Sequence, residues 1–247
     1  MFRLCECGDW TEGRVLVRFV QTSRRILPAV EAWIDAAWRR ESARLGQKLF
    51  DGPMCRLEAC AASPDALVLA LSRTSYRPFL GTHLAPPAGE PLPPDARANP
   101  VGMSSILQSA DGWLLLGRRN DSVAYYPNRI HPFAGALEPP AGGQALDVFD
   151  EIRRELREEL RLSPADIASL RCIGMVEDLS LGQPELVFHA LSTRTRHEIE
   201  ATLERDEHHA VHAVAATPAE AQRAIDDPAL TPVAVASLSL WSRVDCV

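Results

Sequence analysis

Residues 135–162, GALEPPAGGQALDVFDEIRRELREELRL, constrain this chain more than any other stretch, because a loop rich in glycine and proline gives way to a strongly two-faced helix. At roughly 100° per residue, Phe149, Ile152, Leu156 and Leu160 fall on one apolar stripe. Glu151, Glu155, Glu158 and Glu159 gather on the neighbouring stripe. Like charges four residues apart, as in Glu151/Glu155 and Glu155/Glu159, oppose helix formation by roughly a few tenths of a kcal/mol per pair. Something positive must compensate. Arg154, Arg157 and Arg161 supply part of it, and a solvated, salt-bridged helix is one reading. A hard divalent cation with oxygen ligands is the sharper one, and Mg²⁺ beside a phosphate-bearing substrate is its usual setting.

Ahead of the helix, residues 131–138 (HPFAGALE) supply a glycine turn and an acid, and the proline-glycine loop then enters the helix near Asp147. Loop and helix together resemble the Nudix hydrolases, whose box runs Gly, five residues, Glu, seven residues, Arg-Glu, an aliphatic residue, any residue, Glu-Glu, any residue, Gly and an aliphatic residue. Residues 154–162 match its second half, with Arg161 where the glycine belongs. Leu146 stands where the spacing calls for the first glutamate, Asp147 is the acid beside it, and the stretch from Gly135 to Arg154 is longer than the box. The fold class expected is α+β. The resemblance implies a Nudix-type α/β/α sandwich with a mixed sheet over residues 101–247, preceded by a small N-terminal α+β module (1–85) and a proline-rich linker (86–100).

The 247 residues, 46% hydrophobic, suffice for one large domain or two smaller ones with proper cores. A formal charge of −7 argues against a nucleic-acid backbone as partner, while an anionic nucleotide needs only a local cluster of arginines and metal. No apolar run approaches a membrane span, and residues 1–7 lack the apolar segment of a secretory signal, so a cytoplasmic protein without a membrane partner is expected. Six scattered cysteines are too few for a disulfide framework. The C-x-C and C-x₄-C spacings of Cys5, Cys7, Cys55 and Cys60 are not the usual zinc knuckles, so reduced thiols are expected. Composition does not speak to the oligomeric state.

Taken in order, residues 14–20 alternate as a strand, and Val30, Trp33, Ile34, Ala37 and Trp38 mark one buried face of a helix opened by Pro28 and stopped by Gly46. Residues 54–61 and 66–72 read as strands. Residues 85–100 hold six prolines and exclude regular helix or central strand. A hairpin over 102–109 and 113–117 turns at Asp111-Gly112. Beyond the acidic helix, a short helix is expected from Ser163 through Leu170, strands over 171–176 and 186–191, a helix over 196–205, a strand through Val214, and closing helices over 218–225 and 232–244. His208, His209 and His212 invite a metal reading, but neighbours on a strand point to opposite faces, which favours an ordinary strand.

Residues 71–82 (LSRTSYRPFLGT) are rich in hydrogen-bonding side chains, and the plain reading is a polar loop with Phe79 and Leu80 in the core. This segment resembles a narrower group, the Nudix proteins that hydrolyse UDP-glucose and UDP-galactose, which carry a similar Tyr-Arg-x-Phe-Leu-Gly-Thr stretch, a lengthened loop and no late glycine. That resemblance implies a Mg²⁺-dependent (or Mn²⁺-dependent) hydrolase releasing UMP and a sugar 1-phosphate. It implies that Glu155, Glu158 and Glu159 hold the metal, that Arg154 orients a carboxylate, and that Gly135 and Glu138 shape the loop meeting the phosphates. Tyr76, Arg77 and Thr82 would then contact substrate, Arg119 would meet phosphate, and Glu185 or Glu177 would add an acid; the identity of the general base stays open. A Nudix enzyme acting on NADH, ADP-ribose or coenzyme A and a catalytically silent nucleotide-sugar-binding domain are the other readings.

Overall fold

The computed structural model describes residues 1–46, 49–89, 91–140, 142 and 145–243. Within them run β1 (Phe2–Trp10), β2 (Val15–Phe19), α1 (Pro28–Leu45), β3 (Pro53–Ala62), β4 (Leu67–Ser75) and α2 (Tyr76–Phe79), which passes into a π-helix at Leu80–Leu84. There follow β5 (Gly102–Gln108), β6 (Trp113–Arg119), β7 (Ile130–His131), β8 (Phe133–Ala136) and α3 (Val148–Leu160). The chain continues through β9 (Ile167–Asp178), β10 (Gln183–Ser192), α4 (Arg196–Glu200), β11 (His208–Ala215), α5 (Pro218–Ala224) and α6 (Pro232–Ser242). The architecture is α+β, with a large mixed sheet between helices, as expected.

The large sheet runs β1-β9-β10-β5-β6-β11, and only the β10–β5 pair is parallel among its described ladders. Strands β5 and β6 pair only at Leu107/Leu115 and Gln108/Leu114 before they diverge. The opening is filled by β8, which takes the free edge of β5 from Gly102 to Ser105, and by β7, which pairs with Gly117 and Arg118 of β6. This divergence makes the cleft. A second sheet, β2-β4-β3, comes from the first 85 residues, and its Leu67, Leu69 and Leu71 share one core with Met103, Phe149 and Phe188.

Helix α3 covers one face of the large sheet through Val148, Phe149, Ile152, Leu156 and Leu160. Burying each such side chain is worth about 1.5–3 kcal/mol, which outweighs like-charge repulsion of a few tenths per pair on its other side. Asp147 caps its start by accepting the Phe149 N–H at 2.8 Å. Helix α6 covers the opposite face, where Ala236 and Leu240 meet Val176 and Val187.

Three expectations are corrected and one element is added. The addition is strand β1, which pairs antiparallel with β9, so the large sheet draws a strand from the start of the chain. The helix expected from Ser163 to Leu170 is a single 3₁₀ turn, Pro164–Asp166, closed by a Ser163/Asp166 capping box, and β9 begins at Ile167. The helix over 196–205 ends at Glu200. Cys5, Cys55, Cys60 and Cys172 carry free thiols, whereas Cys7 is disulfide-bonded, against the expectation of reduced thiols. Cys246 and Val244 lie outside the described residues. No helix among the described residues is long and apolar enough to cross a membrane.

Candidate active site

Gly135 of β8 and Glu155 of α3 lock together. A Cβ at position 135 would fall 2.0 Å from Glu155 Oε1, so the carboxylate lies directly on the glycine backbone. One turn further along α3, Glu159 is 8% exposed, and neither carboxylate oxygen has a hydrogen-bond partner among the described residues. Its neighbour is His208, whose Nδ1 lies 3.3 Å from Glu159 Oε1 and whose ring meets Phe133 edge-on with centroids 5.5 Å apart. Gly117 makes room for that ring, since a Cβ there would come within 2.2 Å of it. Opposite His208 in the β11–β6 register stands Arg119, 4% exposed, with Nε unpartnered and its guanidinium 4.9 Å from the Tyr125 ring centroid.

Burial dominates the electrostatics. It pushes Glu155 up to about 7, against the pull of Arg154 and with the help of Glu159, Glu158 and Glu207. Burial, then Glu207, raises Glu159 well above the usual carboxylate range, while Arg119 pulls it down. Burial and then Arg119 lower His208 to about 4. The His208–Glu159 contact is therefore between a neutral imidazole and a carboxyl with raised proton affinity, and is no ion pair near neutral pH. An unpaired buried polar group costs about 1–3 kcal/mol, so their accumulation at one place marks a site made for something else to complete.

The carboxylates expected to hold metal are not all brought together. Glu155 and Glu159 face the sheet. Glu158 points outward, and Arg154 bridges it to the others, its Nε, Nη1 and Nη2 bonding Glu151 at 3.1 Å, Glu158 at 2.9 Å and Glu155 at 2.7 Å. That guanidinium is the positive charge the acidic stripe demands. Glu185 is buried, and burial raises it to about 8, with the neighbouring Ser104 hydroxyl and Arg119 pulling the other way. It alternates with Leu186, which packs on the α3 side, and shares the face of Val187, which packs on α6. Glu177 is paired with Arg3. Among the described residues no three His, Cys, Asp or Glu side chains form a ready-made cage. Glu155 and Glu159 nonetheless fit a hard cation, on the chemistry of oxygen donors and on the unpartnered oxygens of Glu159.

A cleft of about 360 Å³ opens beside this group, lined by Arg119, Tyr125, Gly135 and Glu207. Through Ser122, Ala124 and Ala136 it joins an apolar cleft of about 350 Å³ that holds Tyr76, Phe50, Met54 and Glu138. The structure thus gathers Arg119, Gly135, Glu138 and Tyr76 along one groove. Arg77 and Thr82 are placed elsewhere. Arg77 pairs with Asp35 of α1, and Thr82 Oγ1 donates to Pro78 O at 2.7 Å and accepts the Ala98 N–H at 3.1 Å. Asp147, the nearest acid to the altered position 146, is spent on its helix cap. His208, Glu207 and Tyr125 join the site with no sequence signal of their own. Position 208 stands across from Arg119 only once β11 is paired, and Tyr125 sits in an aperiodic loop.

The chain is 27% identical over 226 residues to the mouse (Mus musculus) uridine diphosphate glucose pyrophosphatase NUDT22, covering 79% of this chain and 73% of that one. It is 27% identical over 205 residues to the human (Homo sapiens) protein of the same name, covering 71% and 67%. To the m7GpppN-mRNA hydrolase NUDT17 of Danio rerio it is 35% identical over 152 residues, 55% of this chain and 47% of that one. No family model matches. A solved MutT protein from Methanosarcina mazei Go1 aligns with a TM-score of 0.39 at 15% identity, over 58% of this chain and 92% of that one, too slight a likeness to carry an argument. These similarities agree with the resemblance to the Nudix hydrolases that residues 135–162 carry.

Proposed function

We propose that this Nudix-like protein cleaves the diphosphate bond of a nucleoside diphosphate derivative, foremost a UDP-sugar, to UMP and a sugar 1-phosphate. The observation that carries the reading is Glu155 against Gly135, which lines the groove of Arg119, with the buried Glu159 one turn further along the helix and without a hydrogen-bond partner among the described residues. The relatives named as UDP-glucose pyrophosphatases make a UDP-sugar the first substrate to test.

Glu155 and Glu159 would hold a divalent metal, Mg²⁺ or Mn²⁺, with Glu158 at the rim. When bound, such a metal lowers the pKa of water and neutralises phosphate charge. Arg119 offers a guanidinium with no ion pair among the described residues to the phosphoryl oxygens. Arg154 fixes the Glu155 carboxylate from outside. The apolar cleft takes the uncharged end of the substrate against Tyr76 and Phe50, the latter 73% exposed. Residues 1–85 therefore supply one wall of the groove.

The test is release of UMP from UDP-glucose with and without Mg²⁺, beside NADH, ADP-ribose, coenzyme A and a capped dinucleotide. Metal-dependent UMP release that dominates the panel is the expected result. Turnover of another member would keep the carboxylate pair and discard the sugar nucleotide. A catalytically silent nucleotide-sugar-binding domain is the second reading, favoured by the hold of Arg154 on Glu151, Glu155 and Glu158. Calorimetric binding of UDP-glucose without turnover anywhere in the panel would decide for it.

A further inference from the structure

Arg119 is buried and charged, yet no carboxylate among the described residues lies within ion-pair distance of it and its Nε has no hydrogen-bond partner there. A guanidinium in this condition needs something to fix its plane. The only contact of that kind is the face of Tyr125, 4.9 Å from Cζ to ring centroid among the described residues. Tyr125 is itself held from two sides. Phe79 meets it edge-on at 6.5 Å and 88°, and Tyr126 does so at 5.9 Å and 77°. The Tyr126 hydroxyl donates to Asp178 Oδ2 at 2.7 Å, tying the loop to the end of β9. Phe79 in turn belongs to residues 75–82, and packs with Met54, Ala98 and Tyr76.

We infer that Tyr125 is the positioning residue that holds Arg119 in readiness for the diphosphate, and that residues 75–82 act on the reaction through Phe79 against Tyr125. The inference rests on the diphosphate reading above, and it explains the placement of the second motif. Arg77 and Thr82 have protein partners, so a direct role in the groove falls to Tyr76 alone. The motif's ring at position 79 reaches the groove at second hand. Arg119 and Tyr125 both line the cleft beside Gly135, where a bound diphosphate would meet the open edge of the guanidinium.

The experiment follows the Nε–H signal of Arg119 by NMR in arginine-labelled protein, assigned by its loss in Arg119→Lys, while inorganic pyrophosphate is added. A proton over a ring face is shifted upfield, and the signal of the unaltered protein should carry that shift and respond to pyrophosphate. Tyr125→Phe keeps the ring, so shift and affinity should stay within about twofold; Tyr125→Leu should abolish the shift and weaken pyrophosphate about tenfold, the scale of a desolvated cation–π contact. In the Arg119→Lys background Tyr125→Leu should weaken it much less. An unshifted or unresponsive Arg119 signal, or equal weakening in both backgrounds, would overturn the inference. Hydrolysis of UDP-glucose with a silent Arg119 signal sinks this arrangement and keeps the proposed reaction. A responsive signal with no hydrolysis of the panel does the reverse.

Discussion

Two stretches invite a chemical reading, the acidic helix α3 with Gly135 and the segment from Tyr76 to Leu84, and the structure treats their polar atoms in opposite ways. In the second, the Thr82 hydroxyl both donates and accepts, and His83 contacts Leu181 O at 2.8 Å through Nδ1 and accepts the Asn99 N–H at 3.0 Å through Nε2. In the first, Glu159 is buried, as is His208 of β11 beside it, and both lack hydrogen-bond partners among the described residues. Satisfied burial makes a scaffold; unsatisfied burial makes a site, because the cost is recovered only when a ligand arrives. Polar residues in a motif do not reveal by themselves which of the two they are.

The largest effect that would test this contrast is expected from Glu159→Gln. It removes a carboxylate from the reaction while sparing the fold the burial of a charge, so hydrolysis should fall by about 10³-fold or more with an unchanged or raised Tm. A variant that loses its Tm together with its activity would place Glu159 in the scaffold instead. Next comes a pair of glycines. Gly135→Ala would drive a methyl into the Glu155 carboxylate, and Gly81→Ala would set one 2.8 Å from the Ile34 backbone of α1. Both should destabilise by about 1–3 kcal/mol by overpacking. Only Gly135→Ala should also lower kcat at temperatures where the protein stays folded, as steady-state kinetics below both melting transitions will tell.

A smaller effect is expected from pH. Burial pushes Glu155 up to about 7 in the folded protein, from its ordinary value of 4.5. The folded state therefore binds the extra proton between those values, and this group's contribution to stability falls as pH rises through that window and is level above it. Metal binding needs the carboxylate, so Mg²⁺ should bind more tightly at pH 8 than at pH 6, with proton uptake by the buffer. Calorimetry in buffers of different ionisation enthalpy measures that proton. Binding that is flat across pH 6–8 would separate Glu155 from the metal.

The sequence announces α3 plainly, because a 3.6-residue apolar period beside a stripe of acids leaves one helical reading, and Asp147 and Pro28 act where capping rules place them. Strand β1 was hidden for a physical reason. It lies at the edge of the sheet, with register shifts between Leu4 and Glu6 and between Cys7 and Trp10, so FRLCECGDW never alternates cleanly. Residues 163–170 misled because a capping box serves a lone 3₁₀ turn as well as a helix. Glu155, Glu159 and Arg119 were legible as candidates from spacing and type. His208 and Tyr125 were not, since their placement depends on the β11–β6 register and on a loop held by Tyr126 and Asp178.

The smallest expected effect concerns Arg161, which stands at the box's late glycine and belongs to the scaffold side of the comparison. It ends α3 in the left-handed region, at φ 54° and ψ 30°, with its N–H turned back to Arg157 O. Glycine suits that position because it has no Cβ to strain, whereas an L side chain there costs roughly 1–2 kcal/mol. Replacing it removes that strain, but it restores roughly 0.5–1 kcal/mol of chain entropy to the unfolded state and loses an exposed ion pair with Glu204 worth about as little. Arg161→Gly in a Glu204→Gln background sets the ion pair aside, and should raise Tm by about 1–3 °C with kcat unchanged. A change in kcat without a change in Tm would mean that position 161 acts on Glu158 and Glu159 beyond closing their helix, and would move the late glycine of the box from the scaffold to the site.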